Sequence, residues 1–142
     1  PSTEGLDMAF GNIDWIALIG AVVASYIFSA AYYISLAKPW RTAVGKTEAE
    51  LKAGTSPVAY VIAIAGHTLI AYMLSVLMVS LEMGSVAGGL SIALPMWLTF
   101  VMSTMAINHR FQQSSWSHTI LDGGHWLGVF AIQAVVIAII AG

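Results

Sequence analysis

Residues 120–140 read I-L-D-G-G-H-W-L-G-V-F-A-I-Q-A-V-V-I-A-I-I, an unbroken run of 21 residues in which Asp122 is the one formally charged side chain. A helix rising about 1.5 Å per residue needs roughly 20 residues to cross the hydrocarbon of a bilayer, whereas a transmembrane barrel strand takes only about 10. In lipid the backbone must also satisfy its own hydrogen bonds, so a run of this length is a membrane-spanning helix. Three further runs have the same character: Trp15 to Leu36, Pro57 to Leu81 and Gly89 to Ile107. The expected fold class is therefore all-α, an integral membrane four-helix bundle forming a single domain over residues 1–142.

Composition leads to the same place. The chain is 58% hydrophobic and 8% charged, with a mean hydropathy of +0.83, whereas soluble domains carry about 25% charged residues. The lipid bilayer has to be the solvent for much of its surface. A formal net charge of -2 gives no reason to expect nucleic acid as a partner. The absence of cysteine excludes disulfides, iron-sulfur clusters, thiolate metal sites and a cysteine nucleophile together. Ahead of the first apolar run stand Glu4 and Asp7 and no Lys or Arg, unlike the basic leader of a cleavable signal peptide, so that run is expected to remain in the mature protein.

The charges concentrate between the runs. The connection from Ala37 to Ser56 holds Lys38, Arg41, Lys46, Glu48, Glu50 and Lys52. Within it, T-E-A-E-L-K at Thr47 to Lys52 predicts a helical turn opened by a Thr47/Glu50 capping box and supported by a Glu48–Lys52 pair. The second connection, Glu82 to Gly88, is a short Gly/Ser turn, and the third, Asn108 to Thr119, is polar almost throughout and includes His109, Arg110 and His118. Lys and Arg are retained in cytoplasmic loops. All five lie in the first and third connections, which fall on one side of a four-helix protein, so both termini are expected on the non-cytoplasmic side.

Helices in lipid associate through small residues that let backbones approach. Ala17, Ala21, Ser25 and Ser29 repeat every four residues in the first run, as do Ala59, Ala63, His67, Ala71 and Ser75 in the second; Gly124 and Gly128 form a G-x-x-x-G pair in the fourth. These stripes are the expected helix-packing faces, toward the bundle itself, a second copy or a larger membrane complex. Pro95 removes a backbone donor within the third helix and is expected to kink it. Aromatics near helix ends, Trp15, Tyr32, Tyr33, Trp40, Tyr60 and Trp116, suit interfacial anchoring.

Ionisable groups inside a membrane are costly and therefore functional candidates. His67, Asp122 and His125 are such groups, and His118, Asp122, His125 and Gln133 share one helical face spanning about 80°. One explanation is interhelical hydrogen bonding, with Asp122 accepting from a hydroxyl or histidine and His67 satisfied by a facing hydroxyl or carbonyl. Another is a polar lining for a small transporter or channel-like protein. A third is tetrapyrrole ligation, haem or chlorophyll-type, because Ala63 and Ala71 flank His67 and leave room for a flat ring. No metal site is expected, since His67, Asp122 and His125 lack further well-placed ligands. No G-x-S-x-G, Walker or H-E-x-x-H motif occurs, and no catalytic residue is assigned.

The order of short motifs resembles a membrane-protein family, domain of unknown function 1761. It is carried by N-I-D-W at Asn12 to Trp15, Tyr32 and Tyr33, Lys38 with Pro39 and Trp40, Trp97, and I-L-D-G-G-H-W-L at Ile120 to Leu127. Tyr32 and His125 depart from the commoner aromatics of that pattern. The resemblance implies a small, multi-pass, four-helix protein of the bacterial inner membrane with no established activity. The expectation for function is a non-enzymatic structural or accessory membrane protein, with no cofactor, that packs against itself or another membrane protein.

Overall fold

A computed structural model describes residues 10–142; Ser2, Glu4 and Asp7 lie outside the described residues. Among the described residues there is no strand. Four helical spans are long and apolar enough to cross a membrane. The first is α1 (Trp15–Ser35), begun by Asp14, whose carboxylate accepts from the Ile16 and Ala17 backbone N–H groups at 2.9 Å. In the first connection lie α2 (Ala37–Val44) and α3 (Glu48–Gly54), followed by α4 (Pro57–Ser80). Ser56 caps α4, and Pro57 occupies its first turn, where no backbone donor is required.

The third span comprises α5 (Val86–Met96), a π-helical turn (Trp97–Met102) and α6 (Ser103–Phe111). The fourth is α7 (Trp116–Ala141), capped by Ser115, which accepts from the His118 N–H at 3.1 Å.

The sequence reading is corrected at several boundaries. The third and fourth helices extend beyond 89–107 and 120–140, and the polar third connection shrinks to Gln112–Ser115. Hydropathy marks where hydrocarbon ends, whereas a helix stops where its caps stop it. The capping box at Thr47 and Glu50 is present and opens α3. Helix α2 is additional; Pro39 sits in its first turn, and it ends at Gly45 with φ of 74°, a conformation that favours glycine. Beyond Pro95 the chain enters the π-helical turn, and hydroxyls supply donors there: Thr99 to the Pro95 carbonyl at 2.7 Å, Ser103 to the Thr99 carbonyl.

Helix α7 is central and touches α1, α4, α5 and α6. Its glycines receive aromatic side chains from α1: a Cβ on Gly128 would lie 2.3 Å from Phe28 Cζ, and one on Gly124 would lie 3.0 Å from the Tyr32 hydroxyl. Ala17, Ala21, Ala71, Leu74, Ala93 and Ala134 fill the buried core between α1, α4, α5 and α7. Helix α4 contributes buried residues only from His67 onward, so its first half, where Ala63 is half-buried, stands away from the core.

The ends of the bundle are chemically distinct. Ser115 donates to the Ala43 carbonyl at 3.0 Å, which joins the two connections at the end of the bundle where all five Lys and Arg residues lie. At the opposite end Asn12, Asp14, Glu82, Gly84 and Gly142 line one cleft.

Candidate functional site: a polar row between α1, α4 and α7

Ser25 and Ser29, four residues apart on α1, face α4 and α7 closely enough for their hydroxyls to bridge. Ser25 Oγ is 2.8 Å from His67 Nδ1 and receives a 2.9 Å bond from the Gln133 amide. Ser29 Oγ lies 2.7 Å from His125 Nε2 and 3.4 Å from His67 Nε2. Gln133 donates a second bond, at 3.0 Å, to the His67 carbonyl. All five polar residues thus tie three helices together. Two buried acceptors or donors stay without partners, His125 Nδ1 and Gln133 Oε1.

Aromatic rings close around this set. Tyr26 and Trp126 lie against His67, while Phe28, Tyr33 and Trp126 surround His125, the nearest being Tyr33 at 4.7 Å between ring centroids. Tyr33 leads outward to a second cluster. Its hydroxyl and the Trp40 indole N–H both donate to Asp122 Oδ1, at 3.0 and 2.9 Å. The other carboxylate oxygen is 3.0 Å from His118 Nε2. His109, on the last turn of α6, stacks on His118 with ring centroids 4.4 Å apart. Thr119 bonds His109 Nδ1 at 3.0 Å and receives Arg110 at 2.7 Å. Tyr32 and Trp97 donate to the Leu121 and Gly123 carbonyls, both at 2.9 Å.

The residues brought together around Asp122 include several that carry the family resemblance, and residues 16–138 match the family described as Protein of unknown function (DUF1761). The chain belongs to the DUF1761 family. No curated protein and no solved structure matches this DUF1761 chain.

In this DUF1761 protein His67, Asp122, His125 and Gln133 fall on one continuous row. Asp122 belongs to its outer end, and His125, His67 and Gln133 to its buried part. Sequence reasoning assigned Ser25 and Ser29 to packing and Tyr32, Tyr33 and Trp40 to anchoring; the fold turns all five inward as hydrogen-bonding groups. Trp15, Tyr60 and Trp116 remain exposed, as anchors would be. His109 reads in the sequence only as one polar residue of the third connection, and Thr119 as the end of it. A signal for His109 exists in retrospect: it and His118 flank a turn of four residues, which folds their helices back on each other.

Chemically, the inner cluster offers neutral hydrogen bonding in a closed apolar shell. Both His67 ring nitrogens face α1 hydroxyls, so neither is directed at an open surface. The outer cluster is different. One ligand atom each from His109, His118 and Asp122 lie within 4.8 Å of one another, and His118 and Asp122 keep 17% and 19% of their side-chain surface accessible.

Proposed function

We propose that this protein is a non-enzymatic structural or accessory membrane protein that packs against itself or another membrane protein. The observation that carries this reading is uneven burial. In the most apolar stretch of the third span 11% of residues are buried, against 39% for α7. The first half of α4 is likewise uncovered, with no buried residue before His67. Along the third span runs an open groove of about 440 Å³, lined by Ile70 of α4, Trp126 of α7 and, from the third span, Phe100, Val101, Thr104, Met105, Asn108, His109 and Gln112. Lipid contact alone does not drive helices together, but a shaped groove with hydrogen-bonding groups suits a further helix. The hydrogen bonds of Ser25, Ser29, His67, His125 and Gln133 support the same reading, because they use the polar groups to lock the bundle. Native mass in mild detergent tests it. An assembly larger than one chain that Thr104→Leu or Val101→Trp reduces is the expected result; a strictly monomeric species without partners overturns the proposal.

A second reading, a small transporter or channel-like protein, is favoured by the row running from Asp122 past Tyr33 to His125, Ser29, His67 and Gln133, and by the unpartnered His125 Nδ1 and Gln133 Oε1. Flux into liposomes that is unchanged by the Asp122→Asn, His125→Ala double substitution removes it. Tetrapyrrole ligation by His67 has less support, since Ser25 and Ser29 engage both of its nitrogens. It requires a coloured purified protein that His67→Ala bleaches.

A further inference from the structure

We propose that His109, His118 and Asp122 form a binding site for a divalent transition-metal ion of the zinc class, at the turn between α6 and α7. Three ligands arrive from two helices. His118 and Asp122, four residues apart, share one face of α7, and His109 reaches over from the last turn of α6. Donors around tetrahedral zinc, at about 2.0–2.2 Å from the ion, lie roughly 3.4 Å from each other. The pair His118 Nε2 and Asp122 Oδ2, at 3.0 Å, is a few tenths of an ångström short of that separation, and the third donor falls within 4.8 Å. To close the remaining distance His109 has to turn out of its stack on His118, whose ring centroid lies 4.4 Å away.

Two imidazoles and one carboxylate suit zinc and its neighbours, whereas calcium and magnesium select oxygen ligands. The surroundings fix the ligands as metal sites require. Tyr33 and Trp40 both bond Asp122 Oδ1, which leaves Oδ2 for the ion. Thr119, held by Arg110, bonds the His109 ring. Arg110 is a neighbouring charge that opposes a cation; its guanidinium, which bonds Thr119 at 2.7 Å, is also held 3.9 Å from the Trp116 ring centroid and by the Ser115 carbonyl at 3.2 Å. With three protein ligands the fourth position is left to water or an external group. Bound metal would clasp α6 to α7 at one end of the groove, which His109 also lines, without drawing on the inner row.

Tag-free protein in mild detergent, stripped with chelator, is titrated with zinc chloride by calorimetry. The expected result is one zinc per chain with micromolar or tighter affinity, weakened at least tenfold by His109→Ala, His118→Ala or Asp122→Asn and unchanged by His67→Ala. Tyr33→Phe should weaken it less than removal of a ligand, since it only orients Asp122. Absence of zinc binding by the native protein, or affinity retained within twofold in the His109→Ala, His118→Ala double variant, overturns the proposal. Should those variants lose their helical circular dichroism, histidine-selective NMR of the native protein decides: zinc must shift the ring signals of His109 and His118, and shifts confined to His67 and His125 overturn it.

Discussion

Gln133 is fully buried, donates to Ser25 and to the His67 carbonyl, and leaves its own oxygen without a partner. A buried amide satisfied on one side only is held at a cost, because its oxygen has left water and gained nothing in return. Interhelical hydrogen bonds in membrane proteins contribute about 0.6 kcal/mol each on average, so Gln133→Leu, which removes two of them together with the orphaned oxygen, should lower stability by no more than about 1 kcal/mol. Unfolding in mixed detergent micelles, followed by helical circular dichroism, measures this. A loss several times larger would show that the Ser25, Ser29, His67 and His125 bonds collapse as a unit when Gln133 is removed.

Helix α3 is seven residues long and has no buried residue, so its helicity depends on its own ends. The Thr47 hydroxyl receives the Glu50 N–H at 3.3 Å, and the Thr47 N–H returns a bond to the Glu50 carboxylate at 2.7 Å. Glu48 meets Lys52 at 2.8 Å and Arg41 at 2.7 Å. The Lys52 ammonium, and after it Arg41, holds the Glu48 carboxyl below its ordinary value, and the Thr47 backbone N–H does the same for Glu50. Since both are depressed in the folded state, their contribution is complete above the ordinary carboxylate range and is lost as pH falls through the lowered values. Amide chemical shifts of residues 48–54 in micelles should therefore stay helical at neutral pH and drift toward coil in acid, while the four long helices do not change. Thr47→Ala should bring the same loss at neutral pH, about 1 kcal/mol of local helix stability. This helix was legible in T-E-A-E-L-K because a capping box is written in adjacent residues. The π-helical turn was not, since nothing in W-L-T-F-V-M distinguishes a wide turn from an ordinary one. The candidate site divides in the same way. His67, Asp122, His125 and Gln133 stand out as polar residues in apolar runs. Trp40, His109 and Thr119 sit in segments already polar or amphipathic, and only tertiary approach selects them.

For the whole molecule, the segregation of Lys38, Arg41, Lys46, Lys52 and Arg110 at one end predicts that this end faces the cytoplasm. The native chain has no cysteine, so single cysteines at Lys46 and Gly142 can be labelled from either side of sealed membrane vesicles without background. Lys46→Cys should react only from the cytoplasmic side and Gly142→Cys only from the opposite one. Reaction of both from one side would mean that the chain crosses the bilayer an even number of times between them, or not at all. The four membrane-length spans came directly from run length, whereas the short helices of the first connection add to the helix count. The way α1 and α7 meet, with Phe28 and Tyr32 entering the space beside Gly128 and Gly124, is disclosed by no spacing along one chain segment.

The π-helical turn at Trp97–Met102 also acts as a phase shifter. It inserts one residue into an otherwise α-helical span, so everything beyond it is rotated by about 100° relative to an uninterrupted α-helix. His109 is beyond it and His118 and Asp122 are on another helix, so the azimuth of His109 depends on that single extra residue. Deleting Phe100, whose side chain is exposed, should let the span relax to regular α-helix and swing His109 away from Asp122 while the apolar length stays nearly the same. This chain is therefore sensitive to indels here in a way that hydropathy would never register: a one-residue gap between Trp97 and Met102 would preserve the span and dismantle the cluster at its end.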